Sequence, residues 1–372
     1  MGERTARNKS EGAKTMFLHT TFLAAAVAPL SLVSGPAFAQ WVVQESGTKS
    51  RMRGVSVVNE RTIWASGSER AIVRTDDCGK SWRNVSLAAS EGTDLDVRDI
   101  EAFGDDHAFA LTIGPGEKSR IYETLDGGRS WRRSFTNPDA DGFLDALAFW
   151  GPNRGLALGD PVAGRFTLLS TNDGGRTWDR VHAATMPEAL PGEGAFAASG
   201  TCLVVGPEGK AWFGTGGAAK ARVFRSDDWG KSWTAHETPV KAGAPSAGIF
   251  SLAFLNGKQG VAVGGDYLKP EAVGHNLAFT SDGGRTWEAD RSNDGSDLSG
   301  FRSAVVFAPA PSPLSSRCRI ITTGPNGTDL SEDHGASWKR VSDRGAHALG
   351  SSEGSVTWGV GEGGLIIRWE RP

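Results

Sequence analysis

Short apolar runs recur along the chain between turns rich in Gly, Asp and Ser, and three kinds of run follow one another in a fixed order. An inner run such as 97–103 comes first, a run of small residues ending in Gly, such as 63–67, comes second, and a β-branched run such as 71–74 comes third. Their lengths and residue types are typical of β-strands. Each unit is therefore predicted to contain three strands, A, B and C.

Strand C leads into the phrase S/T-x-D-x-G-x-S/T-W, the Asp-box, which occurs six times. The copies occupy residues 75–82, 124–131, 171–178, 226–233, 280–287 and 331–338. Their Trp residues lie 47 to 55 positions apart, which suits one four-stranded propeller blade per copy. In a tight turn the Asp carboxylate can accept backbone N–H bonds, Gly can adopt a positive φ, and Trp can pack beneath the turn. We therefore expect the box carboxylates to brace turns before a fourth strand, D, rather than to act in catalysis.

The two ends of the chain complete one another. Residues 347–369 supply strands A, B and C of a seventh unit without a box, whereas 40–45 has Trp41 where a box Trp would fall, followed by the apolar run of a strand D. The N-terminal strand can thus close the last blade in a 3+1 arrangement, which removes an open sheet edge. The sequence predicts an all-β, seven-bladed β-propeller of four-stranded blades, formed by residues 40–372 as a single domain.

The composition fits this architecture. The chain has 372 residues with 50 Gly, 13 Trp and only 2 Tyr, and its 38% hydrophobic content excludes a disordered protein. Six Trp residues close boxes, and Trp64, Trp212 and Trp358 fall at one position of strand B. A net charge of −3 without a dense basic run argues against a nucleic-acid partner.

Residues 1–39 read as a signal peptide. Basic residues precede an apolar stretch from Phe17 to Val33, and small residues at 37 and 39 place the cleavage before Gln40. An uncleaved anchor is the alternative. We expect a soluble, monomeric mature chain that is secreted or periplasmic, on the lumenal side of a membrane. We also expect no disulfide, metal or cofactor, because the three cysteines, Cys78, Cys202 and Cys318, lie in different units.

The functional face is predicted to lie opposite the boxes. In a propeller blade the A–B and C–D turns share one face, and the D–A and B–C loops share the other. The long loops 183–193, 264–275 and 114–119 all belong to the second face. Variable loops on a rigid scaffold commonly carry function.

Aligning the units by strand A places several charged residues around the channel mouth. The first ring position holds Arg53, Arg98, Leu144, Ala198, Phe250, Arg302 and His347, and the next holds Gly54, Asp99, Asp145, Ser199, Ser251, Ser303 and Ala348. The candidate ligand-binding residues are Arg53, Arg98, Asp99, Asp145, Asp160, Arg165, Glu193, Asp266, Tyr267, Lys269, Arg302 and His347.

Three interpretations of this ring stay open. Convergent Arg side chains suit a carboxylate or another anion, and nearby carboxylates can act as acids or bases. The ring can equally be a solvated channel mouth.

The run 139–145 resembles a fragment of a calcium loop but lacks the full ligand spacing, so a plain acidic turn is expected there.

The chain resembles the photosystem II stability and assembly-factor propellers, which are built from BNR/Asp-box (WD40/YVTN/BNR-like) repeats. The resemblance rests on the six boxes, the phrase at 53–67 and the terminal phrase at 358–364. It implies a non-enzymatic scaffold that holds a membrane-protein intermediate during assembly. It also implies an arginine-rich contact face, for which Arg53, Arg98 and Arg302 are the matching candidates.

Sialidases are also Asp-box propellers and provide the enzymatic alternative. They use an arginine triad, an Asp acid/base and a Tyr nucleophile paired with Glu. Asp160, Glu193, Asp266 and Tyr267 would be the catalytic candidates here. Sialidases are six-bladed, however, and begin with an Arg-Ile-Pro phrase that this chain lacks. We therefore expect a module that binds a protein or an anionic glycan, with a glycoside hydrolase or lyase as the alternative.

Overall fold

The strands pair into seven separate four-stranded antiparallel sheets. The computed structural model describes residues 40–289, 297–308, 318–352 and 356–370. Beside the strands, these ranges contain one-turn 3-10 helices at Ala89–Glu91, Gly116–Lys118, Ala183–Thr185, Pro207–Gly209 and Glu362–Gly364.

The strand bounds follow the predicted order of A, B, C and D. Strand β1 (Gln40–Gln44) precedes blade 1, which contains β2 (Met52–Val57), β3 (Ile63–Gly67), β4 (Ile72–Thr75) and β5 (Arg83–Asn84). Blade 2 contains β6 (Asp96–Ala102), β7 (Ala108–Ile113), β8 (Arg120–Thr124) and β9 (Arg132–Thr136). Blade 3 contains β10 (Leu144–Gly151), β11 (Arg154–Val162), β12 (Arg165–Thr171) and β13 (Asp179–Arg180). Blade 4 contains β14 (Leu203–Val205), β15 (Ala211–Gly214), β16 (Arg222–Ser226) and β17 (Thr234–Glu237). Blade 5 contains β18 (Ala247–Phe254), β19 (Gly260–Asp266), β20 (Leu277–Thr280) and β21 (Glu288–Ala289). Blade 6 contains β22 (Ala304–Ala308), β23 (Arg319–Gly324), β24 (Gly327–Ser331) and β25 (Lys339–Ser342). Blade 7 contains β26 (Ala348–Ser351), β27 (Thr357–Val360) and β28 (Ile366–Glu370).

The blades form a closed ring. The inner strands β2, β6, β10, β14, β18, β22 and β26 contact one another in this order, and β26 contacts β2. The predicted seven-bladed all-β propeller is confirmed.

Strand β1 forms the outer strand of blade 7. It pairs antiparallel with β28, with Trp41 opposite Trp369. The two indoles meet edge to face at 4.9 Å, and the Trp41 Nε1–H donates to Thr328 Oγ1 of blade 6 at 3.0 Å. The first strand of the propeller thus contacts two blades formed by the end of the chain.

The core lies between neighbouring blades, where Trp side chains from adjacent blades meet. Trp64 of blade 1 is fully buried and packs edge to face on the box Trp131 of blade 2, at 6.2 Å. Trp358 of blade 7 packs in the same manner on the box Trp82 of blade 1, at 5.8 Å. The box Trp residues therefore join blades as well as covering their own turns.

Each box turn is built from the same hydrogen bonds. In blade 2 the Thr124 Oγ1 accepts the N–H of Gly128 (2.9 Å) and donates to Asp126 Oδ1 (2.9 Å). Asp126 also accepts the hydroxyl of Ser130 (2.7 Å) and its N–H (2.9 Å), and these two bonds chiefly lower the pKa of Asp126 to about 2. In each of the other five boxes, the N–H of the fifth residue, Gly, donates a hydrogen bond to the hydroxyl of the first residue, Ser or Thr. The box carboxylates brace turns, as predicted.

A further bond ties each box to the A–B turn of its own blade. The N–H of the fourth box residue donates to a carbonyl of that turn, as Gly127 does to Asp106 (2.9 Å) and Trp229 does to Gly209 (2.8 Å). Boxes and A–B turns therefore share one face of the ring, which we call the box face. The opposite side, with the D–A and B–C loops, is the mouth face.

Cys78, Cys202 and Cys318 are free thiols. Over the described ranges, no helix has the length and apolar character that crossing a membrane requires. The predicted signal peptide, residues 1–39, lies outside the described residues.

Thr124→Val tests the box turn because it removes the hydroxyl and keeps the side-chain shape. The buried N–H of Gly128 would lose its acceptor, so we expect unfolding free energy to fall by about 1–3 kcal/mol in urea titrations. Thr136→Val in the same blade is the control, because the Thr136 hydroxyl makes no hydrogen bond within the described chain. Equal losses in the two variants would contradict the role assigned to the box.

Candidate functional site

The connection from β13 to β14 runs into the centre of the ring. Its residues 196–201, the central segment, contact blades on both sides of the axis. Arg98 of blade 2 donates through Nη1 to the carbonyl of Ala197, and the Ser199 hydroxyl donates to the carbonyl of Ser303 near blade 6 at 3.0 Å. The central segment therefore forms a floor across the channel.

A glycine allows the central segment to approach blade 2 closely. Gly200 has φ +76°, and a Cβ there would lie 2.2 Å from Asp99 Oδ1. Asp99 is buried and accepts the N–H groups of Ile100 (2.8 Å) and Leu147 (2.7 Å). Burial raises the pKa of Asp99 to about 6. Asp99 thus supports the floor and does not face the space above it.

Above the floor, on the mouth face, lies a cavity of ≈ 360 Å³, the mouth cavity. Its lining residues are Arg53, Arg98, Phe196, Ala197, Ala198, Phe250, Tyr267, Phe301, Ser303, Pro325 and His347. Phe250 stacks on Phe196 at 3.9 Å and meets Phe301 and Tyr267 edge to face at 4.7 and 6.1 Å. The cavity therefore combines an aromatic cluster with two cationic side chains and one imidazole.

The two arginines of the mouth cavity differ in their partners. Arg98 forms an ion pair with Asp96 at 2.6 Å and donates to the central segment. Arg53 has neither a hydrogen bond nor an ion pair within the described residues, and its Nε is buried without a partner. Burial, with the charges of Arg98 and Arg51, lowers the pKa of Arg53 to about 10, so it stays protonated at neutral pH. Arg53 can therefore accept an anionic group without giving up another contact.

His347 is neutral at physiological pH. Burial, followed by the charge of Arg53, lowers the pKa of His347 to about 4. Its Nδ1 lies 3.2 Å from the carbonyl of Met52, and its Nε2 lies 3.3 Å from Glu362 Oε1. The positive charge of the mouth cavity at neutral pH therefore comes from its arginines.

β-Bulges determine which residues enter the ring position. The pairing of β2, β6, β10 and β18 with the next strand skips one residue near its start. The skipped residues are Arg53, Arg98, Asp145 and Phe250. The structure thus places Asp145, and not Leu144, at the position equivalent to Arg53, one residue away from the sequence alignment.

Arg302 does not line the mouth cavity, in contrast to its expected place in the ring. Strand β22 begins at Ala304, after both Arg302 and Ser303, and it is Ser303 that lines the cavity. The guanidinium of Arg302 is fully buried, 2.6 Å from Asp329 Oδ2, and donates to Asn326 Oδ1 at 2.7 Å. Its ion pair is internal to blade 6.

Two candidate carboxylates hold the connection from β13 to β14 in place. The Glu193 side chain is fully buried, forms an ion pair with Arg222 and accepts the Thr215 hydroxyl at 2.6 Å. Asp160 Oδ1 accepts the N–H of Ala195 at 3.0 Å, and burial raises the pKa of Asp160. Neither residue lines the mouth cavity.

The long B–C loop of blade 5 carries three candidates at the edge of the cavity. Asp266 Oδ1 accepts the N–H of Leu268 at 3.1 Å, and a hydrogen bond from the Ser246 hydroxyl chiefly lowers the pKa of Asp266. Tyr267 is 48% exposed and lines the cavity. Lys269 is exposed, 3.9 Å from Asp266. Only Tyr267 among these three reaches the cavity.

Arg165 and the acidic run 139–145 lie outside the mouth cavity. Arg165 forms an ion pair with Glu188 at 3.0 Å. In the acidic run Asp139 is half-buried and Asp145 is buried. Among the described residues, no three or more His, Cys, Asp or Glu side chains are placed to hold a metal ion.

The aromatic cluster is the part of the site that sequence reasoning missed. Phe250 stands at the aligned ring position, and Phe301 directly precedes Arg302. Phe196 lies in a connection whose path to the centre depends on contacts with distant blades. The signal available in the sequence was Phe250 itself, the one aromatic residue in the aligned ring.

Asp145 is an isolated buried carboxyl group. It is 1% exposed, and its Oδ2 has no hydrogen-bond partner among the described residues. Burial, followed by the charge of Asp160, raises the pKa of Asp145 well above its usual value, and Arg98 opposes this shift. Folding therefore shifts the equilibrium of this carboxyl group towards the neutral acid.

No protein-family model matches the chain. Two curated proteins are similar to parts of it. Photosystem II assembly lipoprotein Ycf48 of Synechococcus sp. (strain CC9902) is 27% identical over 143 residues, which is 37% of this chain and 39% of that protein. Photosystem II stability/assembly factor HCF136, chloroplastic, of Arabidopsis thaliana is 29% identical over 127 residues, 33% of this chain and 28% of that protein. The matches thus span less than half of either relative.

Solved structures extend the similarity to most of the propeller. YCF48 from Cyanidioschyzon merolae has a TM-score of 0.62 at 16% identity and covers 89% of this chain and 98% of that chain. A structure of YCF48 bound to D1 peptide has a TM-score of 0.61 at 16% identity and covers 89% of this chain and 97% of that chain. At this identity the structural likeness concerns the fold. Together with the curated relatives, it confirms the resemblance to the photosystem II assembly-factor propellers.

Asp145→Asn tests the buried neutral acid. Because the folded-state pKa is raised, the stability of the wild type should fall as pH rises above about 4, by up to about 1.4 kcal/mol per pH unit, until the folded-state pKa is passed. The Asn side chain does not titrate, so the variant escapes this loss of stability. The melting temperature of the variant minus that of the wild type should therefore increase between pH 4 and pH 8.

Asp141→Asn is the matched control, because Asp141 is exposed in the same acidic run. The melting temperature of Asp141→Asn should differ from that of the wild type by the same amount at every pH. A parallel profile for Asp145→Asn as well would show that Asp145 is ionised in the folded protein.

Proposed function

We propose that this chain is an exported, non-enzymatic scaffold that holds a segment of a protein partner in the mouth cavity. The observation that carries the proposal is the unpaired guanidinium of Arg53 in the same cavity as the aromatic cluster around Phe250.

The chemistry of the cavity suits a peptide segment. A guanidinium binds a carboxylate through two parallel hydrogen bonds, and Arg98 adds positive charge beside Arg53. The aromatic cluster offers apolar surface within the same ≈ 360 Å³. Arginine and aromatic side chains supply a large part of the binding energy in many protein interfaces. The segment would place a carboxylate on Arg53 and an apolar side chain against Phe250.

The B–C loop of blade 5 extends this surface outward. Leu268 is 70% and Val273 is 64% exposed, beside the half-exposed Tyr267. Large apolar side chains exposed together mark interaction sites. The loop would contact the partner outside the cavity.

The relatives supply the biological context of the proposal. Both curated relatives are photosystem II assembly proteins, and one solved neighbour binds a D1 peptide. By analogy, the partner of this chain is an intermediate of a membrane-protein complex. With residues 1–39 as a signal peptide, the meeting place is the periplasmic or lumenal side of the membrane.

The glycan-acting alternative has less support. No Asp or Glu lines the mouth cavity among the described residues, whereas glycoside hydrolysis needs carboxyl groups at the scissile bond. Glu193 and Asp160 hold the connection from β13 to β14, and the Asp266 side chain is buried and accepts the N–H of Leu268. Tyr267 alone remains of the four catalytic candidates.

A photocrosslinking amino acid at Leu268 tests the proposal in the source cells. It should capture one protein, identified by mass spectrometry, and Arg53→Glu should reduce the yield at least tenfold because the carboxylate site becomes negative. Arg61→Glu makes the same charge change on an exposed residue of the box face and should leave the yield unchanged.

The same crosslinker at Leu125, which is 68% exposed on a box turn, controls for random encounters. Equal capture at both sites, or capture that Arg53→Glu leaves intact, would refute the mouth cavity as the binding site. Turnover of a sialoside or uronide by the purified protein, abolished by Tyr267→Phe, would establish the enzymatic alternative.

A further inference from the structure

A second candidate site lies on the box face, in the cleft between blades 3 and 4. Two cavities of ≈ 720 and ≈ 500 Å³ adjoin there and share Arg154, Asn172 and Trp229 in their linings. They form one elongated depression on either side of the Trp229 indole, which we call the Trp229 groove. It lies on the face opposite the mouth cavity.

Trp229 occupies a position where the other boxes have different side chains. It is the fourth residue of its box, at φ +65°, whereas three other boxes have Gly there. A bulky L-residue is strained in this region of backbone conformation. The turn itself needs only the backbone, because the bond to the A–B turn comes from the N–H. The indole is nevertheless 38% exposed, so this box carries a large side chain that its turn does not require.

An arginine without an acidic partner lies on this indole. The Arg154 Cζ is 4.4 Å from the ring centroid of Trp229, and the Arg154 Nε donates to Asn172 Oδ1 at 2.9 Å. Arg154 forms no ion pair within the described residues. Stacking on the indole and the hydrogen bond to the Asn172 side-chain amide fix the plane of the guanidinium. Its remaining N–H groups are available for a carboxylate.

The rest of the groove combines apolar surface with positive charge. Trp150 meets Trp229 edge to face at 5.2 Å, and Pro152 and Pro207 line the same cavity. His182 and Lys231 line the other cavity. Glu208, the acidic residue of the lining, forms an ion pair with Lys210 at 2.6 Å. The groove thus complements an anion with an apolar neighbour.

We propose that the Trp229 groove binds an extended acidic peptide segment, with a carboxylate on Arg154 and a proline or aromatic side chain against Trp150 and Trp229. The elongated shape suits an extended chain, and the unpaired guanidinium selects a negative charge. The site is independent of the mouth cavity, so the ring has a second contact for a polypeptide on its other face.

The test measures fluorescence anisotropy of labelled twelve-residue peptides of Glu, Pro and Phe with the full chain. Each peptide is paired with one that has Gln in place of Glu. We expect the acidic peptides to bind at least tenfold more tightly than their Gln counterparts. Trp229→Gly and Arg154→Gln should each weaken binding at least tenfold, whereas Arg53→Glu, on the opposite face, should not.

Trp229→Gly is expected to fold, because three other boxes have Gly at the same fourth position. Its melting temperature should equal or exceed that of the wild type while binding is lost, which a purely structural Trp would not give. Equal binding of acidic and Gln peptides, no effect of the two groove variants, or binding of sialyllactose in preference to the peptides would overturn the proposal. Failure of the Arg53-dependent crosslink would not affect the conclusion about peptide binding in the Trp229 groove, because that crosslink reports on the mouth cavity.

Discussion

One hydrogen bond, from the N–H of the fourth box residue to the A–B turn of the same blade, organises the ring. It is made in six blades, whether that residue is Gly, Cys, His or Trp. Because the donor is a backbone group, the hydrogen bond does not depend on the side chain at this position, and Trp229 makes it at φ +65°. This hydrogen bond ties the two turns of the box face together. Blade 7 lacks a box and has β1 as its outer strand instead.

On the mouth face, acidic and basic side chains lie at different depths relative to the central segment. Acidic residues lie below or beside the central segment: Asp99 and Asp145 are buried with raised pKa values, and Glu193 is held by Arg222. Arg53 lies above the segment, in the cavity, and has no partner within the part of the chain that the structure describes. Burial raises the pKa values of the carboxyl groups beneath the segment, whereas Arg53 above it stays protonated at neutral pH.

The sequence carried enough information for the ring and for part of the site. Repeated boxes predicted seven blades, and alignment of strand A brought Arg53, Arg98 and His347 together, as the structure does. It was wrong at Leu144 and Arg302, because in blades 3 and 6 the ring position lies one residue further along the chain, a shift that the residue types do not reveal. It could not find Phe196, because the path of the central segment depends on contacts with blades 2 and 6 that no local pattern records.

We propose that the mouth cavity binds the partner through Arg53 and the aromatic cluster. The most direct measurement is a crystal structure of the protein with the peptide segment recovered from the Leu268 crosslink. We predict a carboxylate oxygen within about 3 Å of an Arg53 N–H group and an apolar side chain in contact with Phe250. A segment bound elsewhere on the ring, with the mouth cavity left empty, would contradict the account.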